Sequence, residues 1–272
     1  MQEHHLPVQR AGRMVRLSRA AYDRPPQPRA RADAPIIAAL MAIVADHGRW
    51  GVWQCVGRLR RLGHRWNHKR IHRVYCDLRL NLKRRTKRRV PHRLRRPLQA
   101  PPALNRTWAL DVMSDALYDR RRFRVMTVID EGNREALALE IGTSLPAARV
   151  SRVLAELVAL HGHPNAIRVD NGPEFLAEVF VEWCATRGIG IHDIQPGKPD
   201  QNAYIERFNR TYREEVLDAY LFASIEEVRA VSERWLLTYN HERPHDSLGE
   251  MPPLTFLPRP SSPGQSPYRL ST

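Results

Sequence analysis

No run of about 18 apolar residues occurs anywhere in the chain, so nothing in it reads as a membrane span. The first residues, MQEHHLPVQRAGRMVRLSR, lack the apolar stretch of a secretory leader. Cysteine is scarce. Cys55, Cys76 and Cys184 form no C-x-x-C pair, and an odd, sparse set excludes a disulfide scaffold and fits a reducing, cytoplasmic setting. Acidic residues are scarce in one place only. Residues 1–100 hold 25 Lys/Arg against 5 Asp/Glu, whereas residues 101–272 hold 19 against 24. A front at +20 and a body at −5 make a polyanion the expected partner.

What is present divides accordingly. Residues 1–24 read as a partial helical DNA-binding segment, with Ser18 capping a short helix. PPQPRARADAP (25–35) reads as a Pro-rich connector, and a helix is expected over about 35–47 from the spacing of Ile36, Ile37, Leu40, Ile43 and Val44. Within a region bounded at 35–80, Val52, Cys55, Val56, Leu59 and Leu62 recur at helical spacing up to Gly63. Asn67 can then cap a second helix carrying Ile71, Val74, Tyr75 and Leu78 inward. This is a helix-turn-helix-like pair, whose second helix presents Lys69, Arg70, Arg73 and His72 outward to DNA. His64, His68, His72 and Cys76 fall on one helical stripe, but three turns of a single helix cannot close a zinc tetrahedron. Residues 81–102 are a basic linker.

From residue 103 the pattern changes to strands alternating with helices. TWALDVM, RRFRVMTVID and EALALEIG are expected strands, the last two joined by a hairpin turn near Glu131-Gly132-Asn133. Residues 146–162 form an amphipathic helix and AIRVD a fourth strand. Residues 173–188 are a helix, IGIHDIQP a fifth strand, and 202–220 a third helix. A fourth helix, 224–244, opens on a capping box of Ser224 and Glu227. The expected fold is α/β: a five-stranded mixed sheet flanked by helices over 103–223, preceded by the small all-α region. Residues 224–272 pack a C-terminal helix and tail on that core.

In that layout Asp111 lies near the end of the first strand, Asp170 at the tip of the fourth, and Glu206 early in the helix after the fifth. Carboxylates gathered at one point repel unless a cation lies between them. Oxygen ligands with room for water and phosphate suit Mg²⁺ or Mn²⁺. Two such ions serve in-line phosphodiester displacement, with no Ser or Tyr nucleophile required. Asp115 and Asp130 are rival acids, and Asn171 and Glu174 are expected to shape the turn after Asp170.

Thirty-five residues separate Asp170 from Glu206. That spacing, W-x-L-D-V-x-S-D-A-L (108–117), V-D-N-G-P-E-F (169–175) and I-Q-P-G-K-P-D-Q-N-A-Y-I-E-R-F-N (194–209) resemble the DDE transposase/integrase superfamily. With R-x-N-H-K-R-I-H-R-V-Y (65–75) and Y-N-x-x-R-P-H-x-S-L-G (239–249), the chain is similar to the second-frame (OrfB-type) transposases of the insertion-sequence-three family. The resemblance implies an RNase H-like integrase core that cuts and joins DNA at element terminal repeats and a target, with Asp111, Asp170 and Glu206 as catalytic, metal-holding residues. It implies two Mg²⁺ or Mn²⁺ ions, a homo-oligomer on DNA, an upstream-frame fusion partner and a cytoplasmic, nucleoid-associated bacterial protein. Arg213 matches a basic family position seven residues after the glutamate. Arg210 and Arg213 share the helical face of Glu206, and with Lys198 in the preceding loop they are expected DNA contacts. Val112 replaces the usual aromatic after the first aspartate. Asp130-Glu131-Gly132 departs from the family's usual turn and is expected to loosen it. The chain begins in the second half of a helix-turn-helix-like unit, so end recognition is expected to draw on an upstream frame. Two other readings keep the same residues: a nuclease or resolvase that cuts without joining, and a catalytically silent DNA-binding relic.

Overall fold

The computed structural model of the chain describes residues 8–16, 18–23, 29–82, 103–170, 172–194 and 202–259. Helices α1 (Val8–Met14) and α2 (Arg19–Tyr22) precede a compact trio, α3 (Arg29–Asp46), α4 (Val52–Arg61) and α5 (His68–Asp77). The trio closes on Ile36, Leu40, Trp50, Val56, Leu59, Ile71 and Tyr75, all buried. Local chemistry sets the ends as expected. Gly63 takes φ +90° after α4, and the Asn67 side chain accepts the Lys69 backbone N–H to cap α5. Leu62 leaves the expected apolar stripe and is 54% exposed.

The expected Pro-rich connector, 25–35, is helical from Arg29 onward. α3 starts at Arg29 and runs through Pro35. Its early turns are fastened from outside: buried Asp33 takes ion pairs from Arg70 (2.8 Å) and Arg73 (2.7 Å) of α5. These tertiary bonds offset the backbone bond that proline forfeits.

The body is one mixed sheet in the order β3-β2-β1-β4-β5. β1 (Thr107–Ala116), β2 (Arg122–Asp130) and β3 (Ala136–Gly142) form an antiparallel meander, and β4 (Ala166–Val169) and β5 (Gly190–Asp193) add in parallel. Period-two alternation sends Trp108 and Leu110 to one face and Ala109 to the other. The first face is covered by α6 (Ala147–His161) and α8 (Glu178–Thr186). The second is covered by α9 (Ala203–Tyr212) and α10 (Ile225–His241). β3 is therefore buried along its whole length.

Residues 173–188 are not one helix. α7 (Pro173–Leu176) and α8 are separated at Ala177, whose ψ of 137° is extended. Phe175 and Phe180, five apart, would diverge on a continuous helix. The break lets both bury edge-to-face with centroids 5.6 Å apart. The helix expected over 202–220 changes to a π-turn at Arg213–Leu217. Ser224 caps α10 as expected, while the Glu227 carboxylate reaches the Ala223 N–H instead of the Ser224 N–H. A short turn, Asp246–Leu248, and α11 (Pro253–Phe256) complete the described chain.

The turn after β2 is tightly held, not loosened. Asp130 accepts the N–H groups of Asn105 and Gly132 and pairs with Arg259, which also pairs with Glu135. A Cβ on Gly132 would lie 2.2 Å from the Ala103 carbonyl oxygen, so the chain passes there only because none exists.

Candidate active site

β1 pairs with β2 along its full length but with β4 only to Ala109↔Arg168. Asp111 therefore lies mid-strand, not near the strand end as expected, and the β4 side of β1 is open beside it. Carrying the Thr107↔Ala166 register forward sets Asp111 level with Asp170, so both side chains leave the sheet on the face that α9 covers. The Asp170 carboxylate accepts the Gly172 N–H at 3.1 Å. A Cβ at Gly172 would come within 3.0 Å of that oxygen and 3.2 Å of the Glu174 carboxylate. Glu174 is buried and bound by Arg124 of β2 at 2.9 Å, which pins α7 beneath the turn.

α9 brings the third acid. Glu206 is in its first turn and exposed. One turn on, buried Asn209 donates its side-chain amide to Asp111 at 2.5 Å. Asp111 also accepts the Val112 N–H. Burial, and then the charges of Asp170 and Glu206, push the Asp111 carboxyl above the usual carboxylate range. The Asp111 carboxylate thus already feels both partners. At the base of α9, the Arg134 guanidinium lies 3.4 Å over the Tyr204 ring.

An all-carboxylate donor set with one amide-anchored member fits a hard divalent cation. Among the described residues no three His, Cys, Asp or Glu side chains converge closely enough to hold a metal ion. Asn209 escaped the sequence reading. Its signal was a polar residue three positions after Glu206, on a helix face otherwise buried by Ile205, Phe208 and Tyr212.

The rival acids have other uses. Asp130 is wholly buried against Arg259, and Asp115 pairs with Arg213 at 2.9 Å. Arg213, expected as a phosphate contact, also donates to the Ser114 carbonyl, so in this structure it fastens the end of α9 to β1. Arg210 is exposed one turn after Glu206, and Lys198 lies outside the described residues. Arg70 and Arg73, expected to face outward, are drawn to Asp33. Lys69 is exposed and, among the described residues, in no ion pair. The His/Cys stripe is dispersed: His64 stacks on Trp66, His68 meets Trp53, and His72 lies 3.8 Å from Cys76.

The terminal motif packs on the body. Asn240 brackets Ala136, accepting its N–H and donating to its C=O. Arg243 pairs with Glu215. Arg61 of α4 donates to the last carbonyls of α10, on His241 and Glu242, while Arg58 pairs with Glu242 at 2.6 Å.

Two family models, both described as "Integrase core domain", match residues 101–199 and 187–253. The chain is 37% identical over 254 residues to the "Insertion element IS476 uncharacterized 39.2 kDa protein" of Xanthomonas euvesicatoria, covering 93% of this chain and 73% of that protein. It is 34% identical to the "Insertion element IS407 uncharacterized 31.7 kDa protein" of Burkholderia multivorans, covering 95% and 93%. The HTLV-2 integrase catalytic core, solved in complex with magnesium, is 20% identical with a TM-score of 0.44, covering 56% of this chain and 95% of that one.

Proposed function

The chain belongs to the integrase-core transposases of bacterial insertion sequences, in the OrfB-type branch of the insertion-sequence-three family, and from that premise we propose that Asp111, Asp170 and Glu206 are the acids of its DDE polynucleotidyl transferase site. The observation that carries this reading is the shared level of Asp111 and Asp170 on adjacent strands, with Asn209 of α9 bound to Asp111 one turn from Glu206.

These three side chains would hold two Mg²⁺ or Mn²⁺ ions, which supply activation of an attacking oxygen and charge stabilisation at the leaving oxygen. Asn209 keeps the Asp111 carboxylate aimed, and Gly172 lets the Asp170 turn close without a side chain in the way. Water attacks the phosphodiester at the element end: a P–O bond to water forms, the P–O3′ bond breaks, and a 3′-hydroxyl is freed. That hydroxyl attacks a target phosphodiester, so one P–O bond replaces another and the target's 3′-oxygen leaves with a proton. Arg210, and Lys198 eight residues before Glu206 in the sequence, steady phosphates beside the acids. Lys69 and the basic residues of 1–100 supply salt-sensitive affinity for terminal repeats.

Joining requires two element ends at one target, so the working form is a homo-oligomer on DNA. An upstream-frame fusion supplies further end recognition, and the setting is the bacterial nucleoid. The domain plan of a helical DNA-binding region, a basic linker, an integrase core and a packed C-terminal helix belongs to the same reading.

The test is a labelled duplex ending in the element terminus, incubated with target DNA and Mg²⁺. Both nicked and joined products are expected, lost on chelation and restored by excess Mg²⁺. Nicks without joined products would make the protein a plain nuclease, and binding with neither would make it a silent relic.

A further inference from the structure

A cleft of about 700 Å³ lies between the helical trio and the catalytic body. On one wall stand Trp53 and His72, and on the other Arg207 and Thr211 of α9, the helix that carries Glu206. Trp53 is 52% exposed, although its helix buries Cys55, Val56 and Leu59. The only ring it meets among the described residues is His68, tilted 36° at 5.8 Å, which leaves about half of the residue's surface open. The Arg207 side chain is 71% exposed, and its contact with the 74% exposed Asp246 is 3.9 Å long. Such a pair is worth almost nothing in water and leaves the guanidinium available. His245 also lines the cleft. It donates to the Tyr239 backbone, and its Nε2 is buried with no hydrogen-bond partner.

The cleft is preformed. Arg61 grips the end of α10, and a Cβ on Gly57 would lie 3.1 Å from Pro244. Its rim also leads somewhere. Leu82 lines it, and the residues that follow, 83–96, contain nine Lys/Arg and no acid.

An exposed indole and a weakly paired guanidinium lining one cleft are the chemistry of sequence-tolerant stacking on single-stranded nucleic acid. The volume is that of a small-ligand pocket, with room for a nucleotide or two but not for a duplex. Resting on the DNA-processing reading above, we propose that this cleft takes a single DNA strand next to the catalytic site. An unpaired base stacks on Trp53 and a phosphate meets Arg207.

The experiment uses the full chain carrying Asp170→Asn, in EDTA, with a fluorescein-labelled twelve-nucleotide oligothymidylate read by anisotropy. Trp53→Ala is expected to weaken binding at least about fivefold. Trp53→Phe is expected to keep most of the affinity, and a hairpin duplex is expected to bind unchanged. Arg207→Ala is expected to weaken the oligonucleotide and lower its salt slope by about one. Trp53→Leu keeps apolar contact without a stacking face. If it melts like its parent and binds weakly, the proposal stands. Oligothymidylate binding as tight in Trp53→Ala and Trp53→Leu as in the parent overturns it, as does equal weakening of the duplex. With no metal present, failure of strand transfer would leave this binding intact, and an unaffected Trp53 variant would leave the strand-transfer reading intact.

Discussion

Asp111 is half-buried, and its carboxyl is pushed up by that burial and then by the charges of Asp170 and Glu206, so its raised pKa has a thermodynamic sign. The folded state binds that proton more tightly than the unfolded state. Stability is therefore lost as pH rises through the carboxylate range, and at neutral pH the ionised group is a burden. Asp111→Asn is expected to raise Tm by about 2 °C or more without divalent cation, by scanning calorimetry at pH 7. Mg²⁺ is expected to raise the Tm of the wild type but not of the variant. His245 carries the opposite sign. Burial and then Arg243 push its pKa down to about 3. Only the unfolded state takes up that proton below about pH 6.5, so the His245 contribution to stability falls on acidification, by up to about 1.4 kcal/mol per pH unit. His245→Phe keeps a ring against Tyr239, and its urea midpoints between pH 7 and 5 are expected to fall less steeply. Equal slopes would remove His245 from this account.

At the scale of elements, the α4–α10 junction makes a sharp prediction. Arg61→Ala deletes two bonds to the α10 carbonyls and a favourable charge at that helix end. A loss of about 1–2 kcal/mol is expected, with faster hydrogen exchange in α4 and little change in β2. Gly132→Ala is expected to cost about 1–3 kcal/mol, because the added carbon strikes backbone that has nowhere to go. What the sequence told about elements depended on range. Asn67, Gly63 and Ser224 act within a few residues of themselves, and their helix ends were legible. The early start of α3 depends on Arg70 and Arg73 reaching Asp33 from a different helix, and no local pattern encodes that. The break at Ala177 likewise answers to where two phenylalanines must be buried.

On the scale of the whole molecule, the acids were legible because strand order follows from the alternation of elements. A meander followed by parallel crossovers makes the first and fourth strands neighbours. Basic residues were harder to assign, because arginine serves equally to hold a fold and to hold a phosphate. Arg70, Arg73 and Arg213 are tied to aspartates of the same chain, while Lys69 and Arg210 are exposed. Charge count alone does not separate those uses.

The account stands on three carboxylates working as one set. Its most direct test is strand joining measured for Asp111→Asn, Asp170→Asn and Glu206→Gln, each shown by anisotropy to bind element-end DNA like wild type. Each single variant is predicted to lose joining by at least about 100-fold in Mg²⁺. Joining that survives at the wild-type rate in any one of the three would contradict it.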